Sequence, residues 1–198
     1  YLEYEANLAL AQDTQKLLEN AGAEVIMTRH GNNHLSLQGR YNLALKTNPQ
    51  IFVSLHYNAL PETANPLARP RGYSVYYNYP HSFGLAQAVY SAFTRQVPLP
   101  DNGMIANDIL FIPRIPQMPS ILVENAYIIL PEQEEMAKDP AKRKLFANAI
   151  YEGILDFYGV KPAPPKANKK VRRGKRRLKR TKAAPKRWAN KTPLSYPR

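Results

Sequence analysis

Hydrophobic and polar positions follow two rhythms along the first 160 residues, one of period near 3.6 and one of period 2. From Asn7 to Asn20, residues Leu8, Leu10, Ala11, Leu17 and Leu18 recur at helical spacing, and Asn20-Ala-Gly22 supplies a stop. Residues 23–28, Ala-Glu-Val-Ile-Met-Thr, then predict a strand, and Arg29 to Asn33 a loop. Ser36 predicts the cap of a helix reaching about Lys46, with Leu37, Tyr41, Ala44 and Leu45 on its buried side. Ile51 to His56 is the next predicted strand. A Pro-rich loop over 59–71 follows, and Gly72 to Tyr77 alternates as a strand does. A helix is expected from about Phe83 to Gln96, then a turn at Pro100–Gly103 and a short extended piece at Ile109–Ile112. A loop with Pro113, Pro116 and Pro119 leads into the last clear strand, Ser120 to Glu124. Pro131 opens an acidic helical turn, a position that suits both proline and acids. Ala141 to Tyr158 has the apolar stripe of a long amphipathic helix.

Strands alternating with helices of this length predict an α/β fold: a single domain over 1–160, with a mostly parallel sheet and helices on both faces. Charge changes the picture after residue 160. The chain has a net charge of +13, yet 16 of its 28 Lys and Arg and none of its 15 acidic residues lie in 161–198. A mildly acidic domain therefore carries a polybasic appendage. Residues 161–165, Lys-Pro-Ala-Pro-Pro, read as a stiff linker, and the remainder lacks the apolar content for a core, so 161–198 is expected to be a disordered basic tail. With no cysteine, disulfides and thiolate metal ligation are excluded. No run approaches the roughly 18 apolar residues of a spanning helix. Tyr1 is not an initiator Met and the first residues are not a leader, so the chain reads as a processed form or a fragment.

The strands at 51–56 and 120–124 each deliver an ionisable residue, His56 and Glu124, at the end where open α/β sheets place their chemistry. Taken singly, His56 reads as a satisfied histidine and Glu124 as a capping or ion-paired carboxylate. Together they suggest a metal with a general base.

The motifs around them resemble the zinc-dependent N-acetylmuramoyl-L-alanine amidases of the amidase type 3 family, which cleave peptidoglycan. The resemblance runs in order through Glu3-Tyr-Glu-Ala-Asn-Leu8, Ala21 to Arg29, and Leu37-Gln-Gly-Arg40 with Ala44. It continues through Ser54-Leu-His-Tyr-Asn-Ala59, Arg71-Gly72, and Met118-Pro119 before Val123-Glu124. It implies that Glu3 and His56 are Zn2+ ligands and that Glu124 is the catalytic carboxylate. The bond cut would join the lactyl group of N-acetylmuramic acid to L-alanine of the stem peptide, in the periplasm, cell envelope or secreted space. The family's first ligand is a histidine in a Gly-rich turn after the first strand, upstream of the residue matching Glu3, so that turn and strand are expected before Tyr1. The zinc site within this chain is then incomplete, and the chain alone is expected to be weak or inactive. Where the family commonly shows Glu-x-Gly-Phe, this chain has Glu124-Asn-Ala-Tyr127, which fits only if position 126 does not need positive φ. Residues 57–123 leave little room for the inhibitory insertion of some members.

Other candidates are weaker. Glu5 competes with Glu3, though the spacing to Asn7 favours Glu3. His30 and His34 read as loop residues and His81 as a surface residue. Arg71 and Arg114 are candidates for contact with an anionic stem peptide, and Tyr57, Tyr73 and Tyr76 for stacking on sugar; surface, ion-pair or core roles are the alternatives. The stretch 169–187 should attract polyanions, either acidic envelope polymers or nucleic acid. Two other functions remain open: a non-catalytic peptidoglycan-binding relative, and a nucleic-acid-binding protein acting through its tail.

Overall fold

The computed structural model describes residues 1–110 and 114–161. The basic stretch 169–187 and all of 162–198 lie outside the described residues, as do 111–113. The elements are α1 (Glu3–Asn20), α2 (Leu37–Thr47), β1 (Phe52–Asn58), β2 (Tyr73–Tyr77), α3 (Phe83–Gln96), β3 (Asp101–Ala106), β4 (Ser120–Tyr127), α4 (Pro131–Lys138) and α5 (Pro140–Phe157). A short 3-10 turn, Pro80–Ser82, precedes α3. The sheet order is β1-β4-β2-β3, with β1 parallel to β4, β2 parallel to β3, and β2 antiparallel to β4. This is the single α/β domain with a mostly parallel sheet that the alternation predicts.

Local chemistry sets the boundaries. Ser36 caps α2 by accepting from the Gly39 amide, and Asn48 ends it at φ 45°. Asp139 caps α5 and Pro140 takes its first position. Helix α1 begins at Glu3, four residues before the expected start, with Glu3 and Glu5 in its first turn where the helix dipole favours acids.

One face of the sheet is an apolar core. Tyr57, Val75, Ile121 and Val123 pack there against Leu10 of α1, Phe93 of α3 and Phe146 of α5. The other face holds a smaller cluster of Phe52, Ile115 and Met118 with Ala44 of α2.

Three local expectations are corrected. Residues 23–28 form no ladder. An apolar slot of about 670 Å³ separates them from β1, the edge strand, so no neighbouring backbone pairs with them. The turn expected at Pro100–Gly103 is instead the start of β3. Its turn-forming residues are absorbed by a bulge: Tyr73 pairs with Asp101 but Val75 with Met104, and Gly103 sits at φ 97°. The extended piece expected at Ile109–Ile112 is not a strand at Ile109 and Leu110, and its remainder is outside the described residues.

Candidate active site

Three elements bring the predicted residues together. His56 and Glu124 are register partners on β1 and β4, and Ser74 of β2 is the partner of Glu124 on its other side. Residues paired in register project from the same face, so His56, Glu124 and Ser74 form one row across the sheet. Neither acid nor base sits at its strand's terminus: β1 runs on to Asn58 and β4 to Tyr127. Beyond the row β4 carries a bulge, since His56 pairs with Glu124 but Asn58 with Tyr127. This extra residue brings Tyr127 level with Asn58, hence onto the His56 face.

Glu3 reaches this row from the first turn of α1. Its Oε1 lies 2.9 Å from His56 Nδ1, and it accepts from Asn7 Nδ2 at 3.1 Å and from the Tyr57 amide at 3.3 Å. Glu5 is exposed and makes none of these contacts, so the geometry brings Glu3, and not Glu5, to His56. Asn7, one helical turn after Glu3, orients its carboxylate, which gives the Glu3-to-Asn7 spacing a physical reason. The second ring nitrogen, His56 Nε2, lies 3.0 Å from Ser54 Oγ. Asn125 Nδ2 donates to the His56 carbonyl at 2.8 Å and so ties β4 to β1 beside the site.

The two carboxylates are tuned in opposite directions. Burial works against ionisation of Glu3, but its bonds from His56 and Asn7, the His56 charge and the Tyr57 amide outweigh it and hold the carboxyl below its usual range. Glu124 is pushed up to about 7, chiefly by burial, with the neighbouring Glu3 charge adding and the His56 charge opposing. Its Oε2 is buried without a hydrogen-bond partner, and so is Ser74 Oγ in the same row. Two carboxylates held apart in this way match a ligand that stays ionised and a base poised near neutrality.

Other candidates fall elsewhere. His30 and His34 are exposed loop residues, as expected. His81 is half-buried rather than on the surface: it stacks on Tyr79 and lies 3.2 Å from the Met118 carbonyl. Tyr57 and Tyr73 face the apolar core, Tyr57 edge-on to Phe146 and Tyr73 against Phe93, so neither is available to stack on sugar. Tyr76 is half-buried on the Glu124 face, where it pairs with Leu122. Arg114 is exposed, whereas Arg71 is buried. Ala126 is not among the positive-φ residues, so alanine is accommodated where the family pattern has glycine. Sequence reasoning missed Ser54, Ser74 and Asn125. Ser54 and Ser74 were detectable as small polar residues in apolar or aromatic strands, in phase with His56 and Glu124.

No group of three or more His, Cys, Asp or Glu side chains poised to hold a metal occurs among the described residues. Glu3 and His56 offer one oxygen and one nitrogen donor, the donor types that zinc sites use, where a catalytic zinc takes about three protein ligands. The helices of the domain include none long and apolar enough to cross a membrane.

The family model described as N-acetylmuramoyl-L-alanine amidase matches residues 1–156. N-acetylmuramoyl-L-alanine amidase LytC of Bacillus subtilis is 27% identical over 157 residues, covering 79% of this chain and 31% of LytC. Probable cell wall amidase LytH of Staphylococcus epidermidis is 29% identical over 157 residues, covering 79% of this chain and 50% of LytH. The chain thus spans half or less of these relatives' length. Among solved structures, the catalytic domain of the amidase CwlV from Bacillus (Paenibacillus) polymyxa var. colistinus is 27% identical. It superposes with a TM-score of 0.72, covering 80% of this chain and 86% of that one. Amidase AmiC2 of Nostoc punctiforme gives 28% identity and a TM-score of 0.72, covering 80% and 85%.

Proposed function

This chain belongs to the N-acetylmuramoyl-L-alanine amidase family, and from that premise we propose that its domain is a peptidoglycan amidase. It cleaves the amide between the lactyl group of N-acetylmuramic acid and L-alanine of the stem peptide. The observation that carries this reading is the row of His56 and Glu124 with Glu3 docked onto it, one carboxylate held ionised and the other poised near 7.

Glu3 and His56 would hold a zinc ion, supplying one oxygen and one nitrogen donor. Bound zinc would acidify a water and polarise the scissile carbonyl. Asn7 and the Tyr57 amide keep the Glu3 carboxylate ionised and aimed, and Asn125 fixes the backbone at His56. Glu124, with an unpartnered Oε2 and ready access to both protonation states at neutral pH, takes the proton of the attacking water. It returns that proton to the departing L-alanine nitrogen, which leaves as the amine.

The work is done in the cell envelope or outside the cell, in keeping with the cell-wall amidases it resembles. The polybasic residues 169–187 would hold the domain near anionic envelope polymers. Deleting the tail should leave turnover on soluble muropeptides unchanged and lower retention on whole walls, the opposite of what a nucleic-acid-binding protein acting through its tail would do.

The test is zinc content measured together with turnover. Glu3→Gln and His56→Ala should each lower zinc occupancy at limiting metal by tenfold or more and abolish release of L-alanine-terminated peptides. Unchanged occupancy in folded variants would remove these residues from the site and favour a non-catalytic binding relative.

A further inference from the structure

Arg71 is 8% exposed, yet its Nε is buried without a hydrogen-bond partner. It takes part in none of the ion pairs among the described residues. The residues outside the description contain no Asp or Glu that could serve it. A guanidinium is always charged, and burying one without a counter-anion is costly. Its visible compensation is the Tyr127 ring, over which it lies at 5.5 Å from the centroid.

Its position is built rather than incidental. Gln133 of α4 clamps the two chains that carry the stack: its Oε1 accepts from the Tyr127 amide at 2.8 Å and its Nε2 donates to the Arg71 carbonyl at 2.6 Å. Gly72 fixes the other side, donating its amide to Asn102 Oδ1 at 2.7 Å. A Cβ on Gly72 would stand 1.8 Å from the Pro100 carbonyl oxygen, so only glycine allows this approach. Tyr127 pairs with Asn58, two residues beyond His56, which puts the Arg71–Tyr127 stack one step past the catalytic row on the same face.

We propose that Arg71 is a specificity-determining residue that binds a carboxylate of the substrate's peptide moiety. The substrate class rests on the amidase reading; the need for an anion rests on a largely buried arginine that has no counter-anion and whose Nε lacks a partner. A carboxylate is planar and accepts two parallel N–H bonds from one guanidinium. Muramoyl peptides carry such groups beyond the scissile amide, on the side of the departing amine.

The experiment compares N-acetylmuramoyl-L-alanyl-D-glutamate with its diamide, in which both glutamate carboxylates are carboxamides. Binding is measured by calorimetry in an E124Q background to prevent turnover. The carboxylate form should bind at least tenfold more tightly, Arg71→Gln should erase that preference, and Arg71→Lys should restore part of it. In the protein with Arg71 intact, the nitrogen-15 resonance of Arg71 Nε should move with the carboxylate form and not with the carboxamide, a readout that needs no variant to fold. Equal affinity for the two forms, no binding of either, an unmoved Nε signal, or a preference that survives in folded Arg71→Gln would each overturn the proposal. Hydrolysis is scored separately: discrimination without turnover would contradict the amidase reading and leave Arg71 standing.

Discussion

The two faces of the sheet obey different rules. The face under α1, α3 and α5 is closed and apolar, with Val75, Ile121, Val123, Phe93 and Phe146 wholly buried. On the opposite face Glu124 Oε2, Ser74 Oγ and Arg71 Nε are buried without a hydrogen-bond partner, against the Tyr57 hydroxyl on the first face. Buried polar atoms are ordinarily paired because desolvating them is costly, and an unpartnered carboxylate and guanidinium, unlike a lone hydroxyl, mark charged groups that await a ligand. Stability resides on the first face and chemistry on the second.

Substitutions should divide the faces accordingly. The largest effect belongs to the closed face: Phe146→Ala removes a fully buried ring that packs on Tyr57 and Phe93 and should cost about 3–5 kcal/mol in denaturant unfolding. On the polar face Glu124→Gln should do the reverse in metal-free protein. The Glu124 carboxyl is raised in the folded state, so its stabilising contribution is whole below about pH 4 and is lost as pH rises through about 7. Replacing it with Gln should therefore raise stability at pH 8 by up to about 3 kcal/mol, with the gain vanishing near pH 4. Melting curves across that range check both sign and window, and a variant less stable than wild type at pH 8 would break the contrast between the faces. The smallest effect is expected at Ser74→Ala, which removes an already orphaned hydroxyl and should change stability by less than about 1 kcal/mol.

The row of His56 and Glu124 was legible because period-2 alternation reports on faces: an apolar run that ends in an ionisable residue projects that side chain from a sheet edge or face. The pairing of Glu3 with His56 was legible through the resemblance alone, since residues 53 apart carry no local signal of contact. Tyr57 and Tyr73 stayed open between groove and core because an aromatic residue suits both, and their alternation with His56 and Ser74, which places them on the far face, is the cue that settles it for the core. The bulges at Gly103 and beyond Glu124 depend on tertiary register, so β3 read as a turn and the approach of Tyr127 to the catalytic face went unseen. Residues 23–28 have strand chemistry but no partner backbone, which no local pattern can report.

The most direct test of the account is turnover by zinc-loaded Glu124→Gln measured beside its zinc content. The account predicts zinc occupancy equal to wild type and a kcat lower by about 10²–10⁴, the range expected for loss of a general base. A folded, zinc-loaded Glu124→Gln protein that releases stem peptide at the wild-type rate would contradict it.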